Sequence, residues 1–67
     1  MDIKKRLGRN VTRYAAKRKI TLERLAYENQ ISKGYIYDIA NGKANVSIEI
    51  LDKLARGLRV GAADLLA

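Results

Sequence analysis

Residues 21–43 read TLERLAYENQISKGYIYDIANGK, and the local grammar of this stretch decides how the rest of the chain folds. Thr21 is suited to cap a helix, because its hydroxyl can accept from a backbone N–H of the first turn. Leu22, Leu25 and Ala26 follow at helical spacing, which predicts a short helix over about 22–29 with Glu23 at its electropositive start. Asn29–Gln30 then reads as a turn without a glycine. Ser32 caps a further helix over about 32–40. Asn41–Gly42 stops it, since glycine accepts the left-handed conformation with which many helices end.

Helical period continues outward on both sides. Ile3, Leu7, Val11, Tyr14 and Ala15 share one face of an amphipathic helix over 2–18, weakened slightly by Gly8. After an extended loop over 44–46, Ser47 caps a helix over about 47–57 with Ile48, Leu51, Leu54, Ala55 and Leu58 on its inner side. Gly61 opens a last short helix over 62–66. No segment alternates with the period of a strand. The expected architecture is all-α: five short helices in one domain spanning 1–67, with no linker, repeat or low-complexity tract. The second and third helices are separated by about three residues, which is the spacing of a helix-turn-helix.

On a helix advancing about 100° per residue, Ser32, Ile36, Ile39 and Ala40 fall together as the buried stripe of helix three. Lys33, Gly34, Tyr37, Asp38 and Asn41 fall on the other side. A solvated polar face is the ordinary explanation of such a pattern. It leaves two costs unaccounted for: a tyrosine exposes apolar area, and a glycine in the first turn costs about 1 kcal/mol against alanine. Both make sense if another surface comes close, because Gly34 admits a partner to the backbone while Tyr35 and Tyr37 offer rings and hydroxyls.

Composition narrows the chemistry. The 67 residues contain no cysteine and no histidine, which removes disulfides, thiolate metal sites and Ser–His or Cys–His catalysis. A helical chain of this size has little room for a carboxylate-lined pocket, so the reading is not an enzyme, and no cofactor or metal is expected. No apolar run reaches the length of a membrane span and no apolar segment of signal-peptide type follows the basic start, so the expected location is the cytoplasm. The net charge of +7 is unevenly placed. Residues 1–19 hold eight cations, Lys4, Lys5, Arg6, Arg9, Arg13, Lys17, Arg18 and Lys19, against Asp2 alone, whereas 20–67 are balanced. Cations at 17–19 suit a helix C-terminus, but those nearer the start do not. Lys4, Lys5, Arg6, Arg9, Arg13 and Lys17 are read as a phosphate-tracking surface. Membrane-surface binding is disfavoured, because Ile3, Leu7 and Val11 opposite these charges are needed for the core.

The order Leu25–Ala26, Ser32, Ile36, Ile39, Asn41–Gly42–Lys43, then Ile48, Leu51, Leu54, Ala55 and Leu58 resembles the lambda-repressor-like helix-turn-helix family of bacterial and phage regulators (the Cro/C1, XRE type). The resemblance runs over 20–66, with the basic helix matching the family's first. No single motif carries it, and the joint spacing does. It implies that helix three is a recognition helix in the major groove of double-stranded DNA. Lys33, Gly34, Tyr37 and Asp38 then match base-facing positions, with lysine able to donate to guanine and a carboxylate able to accept from cytosine N4. Asp38 could instead repel misplaced phosphate or pair with a nearby cation, and Tyr37 could meet a base edge or a phosphate. Ser32, Tyr35, Asn41, Lys43 and Asn45 match backbone-contacting places.

There are departures from the family pattern. Leu22 stands where a phosphate-holding polar residue is usual, leaving Thr21 or Arg24 for that role. Gln30 and Arg59 replace glycines, so the turn at Gln30 is expected to differ locally. Ala15 and Ala40 replace an arginine–glutamate pair. The function implied is a sequence-specific transcriptional regulator, a repressor encoded by a bacterium, phage or plasmid, binding an inverted-repeat operator as a homodimer. Val60, Leu65 and Leu66 are the dimer-interface candidates, with closure of the monomer's own core as the alternative for these leucines. The competing functions on the same fold are a protein-interaction module of antitoxin or adaptor type with an unknown protein partner, and a nonspecific architectural DNA binder.

Overall fold

A computed structural model describes residues 2–67 and contains five helices: α1 Ile3–Arg18, α2 Leu22–Glu28, α3 Lys33–Ala40, α4 Ile48–Leu58 and α5 Ala62–Leu66. α1 packs against each of the others, α2 sits between α3 and α4, and α5 closes over α1 and α4. The interior is built from Leu7, Val11, Ala15, Leu25, Ala26, Ile31, Ile36, Ile39, Ala44, Leu54, Ala55, Leu58 and Leu65, all buried.

Each of the first four helices begins on a side-chain cap. Asp2 Oδ1 accepts from the Lys4 N–H at 2.9 Å, Thr21 Oγ1 from Arg24 at 3.0 Å, Ser32 Oγ from Tyr35 at 3.1 Å and Ser47 Oγ from Ile50 at 3.1 Å. Each also ends the same way. A residue at positive φ donates to the carbonyl three back, and the next residue donates to the carbonyl five back, satisfying otherwise orphaned acceptors. The left-handed residues are Lys19, Gln30, Gly42 and Arg59, and the five-back bonds are Ile20 to Ala15, Ile31 to Ala26, Lys43 to Asp38 and Val60 to Ala55. Gln30 therefore makes the left-handed turn, at φ 54°, without a glycine.

Gly8 has a function that helix propensity does not suggest. A Cβ built there would lie 2.5 Å from the Ala40 carbonyl oxygen and 2.6 Å from that of Ile39. The absent side chain lets the C-terminal end of α3 come down onto α1, and this fixes the position of α3.

Three expected core positions lie outside. Ser32 is exposed, because capping holds its hydroxyl at the helix mouth. Ile3 is 56% exposed and Ile48 83% exposed. Both sit in the first turn of their helices, where the periodic stripe runs past the end of the interior. The buried stripe of α4 is Leu54, Ala55 and Leu58, with Leu51 half-buried. Leu65 departs in the other direction. It is fully buried and so is unavailable as an interface residue, while Val60 and Leu66 are half-buried.

Candidate nucleic-acid interface

The two helices of the central motif meet through Leu25, Ala26, Ile31, Ile36 and Ile39, all buried. With that side of α3 committed to the core, Lys33, Gly34, Tyr37 and Asp38 are left exposed. Gly34 differs from Gly8 in kind. A Cβ there would meet nothing within 4 Å, so no contact within this chain calls for a glycine at that position.

The neighbouring charges organise this face. Lys33 Nζ lies 3.6 Å from Glu23 Oε2, an ion pair that joins the first turn of α2 to the first residue of α3. Desolvation of its ring and then the Glu23 carboxylate hold the Tyr37 phenol above its ordinary range. Asp38 makes no ion pair among the described residues, so the pairing considered for it is absent.

Around this row stand the remaining expected contacts. Thr21 and Ser32 cap α2 and α3 and are exposed. Asn41, Lys43 and Asn45 are exposed at and after the end of α3. Arg24 is occupied by Glu28 at 2.8 Å, a bond that holds the Glu28 carboxyl below its usual range. Tyr35 is less free than expected. It is half-buried against the core, and its hydroxyl donates to the Asn45 carbonyl at 2.9 Å, tying the loop after α3 to the helix.

The cations of α1 divide into two groups. Lys5 and Arg9 border a shallow depression with Ala40 and Asn41, at the foot of α3. Arg6 and Arg13 turn elsewhere. Arg6 Nη1 donates to the Leu66 carbonyl at 3.1 Å, and Arg13 Nη2 donates to Asn10 Oδ1 at 3.2 Å. Arg13 and Lys17 also lie over the Tyr14 ring, at 5.2 and 5.4 Å from its centre. Sequence reasoning gave Asn10 no role, yet it is buried and its amide donates to the Leu65 and Ala67 carbonyls, at 2.8 and 3.1 Å. Asn10 interrupts the basic face of α1 next to the apolar stripe, and that interruption was the available signal.

Comparison with known proteins agrees with this geometry. A family profile described as helix-turn-helix (HTH_3) matches residues 4–65. The control protein C.BamHI of Bacillus amyloliquefaciens is 37% identical over 51 residues, an alignment covering 76% of this chain and 63% of that protein, so the chain spans less than two thirds of that relative's length. The crystal structure of the clp gene regulator ClgR from Corynebacterium glutamicum superposes with a TM-score of 0.90 at 30% identity, over 96% of this chain and 68% of ClgR. The restriction-modification controller protein C.AhdI from Aeromonas hydrophila shares the fold, with a TM-score of 0.87 at 22% identity over 92% of this chain and 94% of its own. The fold, with α2 and α3 as its paired central helices, is thus that of a helix-turn-helix domain. The chain belongs to the helix-turn-helix family.

Proposed function

We propose that this chain is a sequence-specific reader of double-stranded DNA that represses transcription as a homodimer on an inverted repeat. Lys33, Gly34, Tyr37 and Asp38 enter the major groove on α3. The observation that carries this is Gly34, an exposed glycine in the first helical turn that no contact in the chain requires. A duplex pressed against the helix backbone supplies the missing reason. Thr21, Ser32, Tyr35, Asn41, Lys43 and Asn45 flank the row and serve the phosphates, which position the protein without specifying sequence. Lys5 and Arg9, beside Asn41, extend that contact onto α1. Arg24 would first have to leave Glu28. Control and regulator functions named for C.BamHI and ClgR support the same reading.

A single domain of this size covers only a few base pairs, so a second copy is part of the proposal. Leu65 is excluded from the interface by its burial. The place for the partner is the apolar groove formed by Ile3, Val46, Ile48, Leu51 and Leu66. Its two most exposed members, Ile3 and Ile48, keep 56% and 83% of their surface open in the monomer.

Selection of bound duplexes from a random pool at about 0.15 M salt tests the reading. An enriched inverted repeat is expected, with half-sites about one helical turn apart. A pool without enrichment would leave the architectural or protein-partner readings instead.

A further inference from the structure

Among the described residues three ion pairs are present. Arg24–Glu28 and Arg56–Asp52 each lie within one helix, and Lys33–Glu23 alone crosses between two. It crosses from α2 to α3 at the mouth of the proposed recognition helix. We infer that Glu23 is a specificity-determining residue, a carboxylate that keeps Lys33 from binding phosphate and leaves it competent to bind a base edge. The inference rests on the DNA-reading function proposed above.

Each candidate acceptor would act on this pair differently. A lysine ammonium has three donors, so Lys33 can keep Glu23 and still donate elsewhere. A guanine edge presents O6 and N7, two acceptors without formal charge. It can share Lys33 with Glu23 at little electrostatic cost. A phosphate is an anion. Approaching Lys33, it comes within a few ångströms of the Glu23 carboxylate, and like charges at that separation repel. The phosphate must either displace Glu23, gaining one anionic contact for the one lost, or sit beside it unfavourably. In both cases the carboxylate selects against phosphate more than against bases, which is how a repulsive element produces discrimination.

The same carboxylate acts on the Tyr37 phenol, which with its partly desolvated ring stays protonated above the ordinary tyrosine range. Glu23 therefore bears on two members of the outward row, on Lys33 through the ion pair and on the Tyr37 phenol through its charge. The resemblance that identified α3 gave Glu23 no part in recognition; at the sequence level it appeared only as a charge favourable to the start of α2.

The test compares the wild-type protein with Glu23→Gln, which keeps shape and removes charge. Binding to the selected operator and to random-sequence duplex is measured between about 50 and 200 mM salt. In the variant, random-duplex binding is expected to tighten about 3- to 10-fold. Its log–log salt slope should steepen by about 0.9, one further phosphate neutralised by Lys33. Operator affinity should change less, so the ratio of operator to random affinity falls. Asp52→Asn removes another exposed carboxylate and its ion pair from α4 and should leave that ratio unchanged. An unchanged ratio in Glu23→Gln, a loss of operator binding alone, or an equal effect from Asp52→Asn would each overturn the inference.

A further measurement needs no DNA. The Lys33 ammonium, followed by NMR, should shift its Nζ resonance in Glu23→Gln, and an unmoved resonance would mean that the ion pair is absent and overturns the inference. Failure of the DNA-reading function would appear in the wild type, as a pool with no enriched sequence. Failure of the Glu23 inference alone would appear only in the variant.

Discussion

Two glycines show how differently one residue type can be used. Gly8 lies where the Ile39 and Ala40 carbonyls approach α1, and Gly34 lies in open space. Substituting alanine should therefore give opposite results. Gly8→Ala gains about 1 kcal/mol of helix propensity but drives a methyl into backbone oxygens that cannot rotate away. Overpacking of that kind costs about 1–3 kcal/mol, and displacement of α3 adds to it. A net loss of about 2 kcal/mol is expected in urea denaturation, and a variant as stable as the wild type would contradict the packing described. Gly34→Ala should stabilise the fold by about 0.5 kcal/mol, yet weaken operator binding by at least about tenfold as the methyl holds the duplex away. Stability gained together with binding lost would assign Gly34 to the interface. Gain of both would return it to ordinary helix surface.

The helices carry a second regularity, in how they stop. The six-residue segments AAKRKI at 15–20, AYENQI at 26–31 and ARGLRV at 55–60 share one pattern. Each has alanine first, a long polar residue fifth and a β-branched apolar residue sixth. Each closes its helix through a left-handed fifth residue and a bond from the sixth to the alanine carbonyl. A left-handed L-residue costs about 1–2 kcal/mol, and the greater freedom of glycine in the unfolded chain returns part of any gain. Lys19→Gly, Gln30→Gly and Arg59→Gly should each raise stability by about 0.5–1 kcal/mol. The sites lie in separate turns, so the triple variant should approach the sum. Thermal melts of the four variants beside the wild type check this. A melting temperature lowered by any single change would mean that the side chain at that turn contributes more than its backbone strain costs.

For the molecule as a whole, the proposed dimer assigns its interface to one apolar surface. Ile48, 83% exposed, and Ile3, 56% exposed, line an apolar groove together with Leu51 and Leu66. Ile48→Glu places a charge in that groove without touching the interior. Sedimentation should show the variant as a monomer at concentrations where the wild type is a dimer. Its affinity for an isolated half-site should be preserved, while the full operator loses the advantage of two linked contacts. A variant that stays dimeric would move the interface to another surface.

Much of this protein is legible along the chain because its signals are local. Caps at Thr21, Ser32 and Ser47, the stop at Asn41–Gly42 and the 3.6-residue apolar period depend only on neighbours within a few positions, so the five helices and the outward row on α3 follow from them. The closures at Lys19, Gln30 and Arg59 are equally local, but a long polar side chain does not mark a left-handed turn as glycine does. What lay beyond the sequence depends on residues far apart in it. Ile3 and Ile48 have correct periodicity, yet the interior ends before it reaches them. Leu65 looks like surplus apolar surface until α5 folds back onto α1. Asn10 and Arg6 hold carbonyls more than fifty residues away, and Glu23 meets Lys33 only because two helices cross. Periodicity tells which side of a helix is apolar. Where along the helix that side is covered, and which charges then stand opposite each other, follows from how the helices are arranged in space.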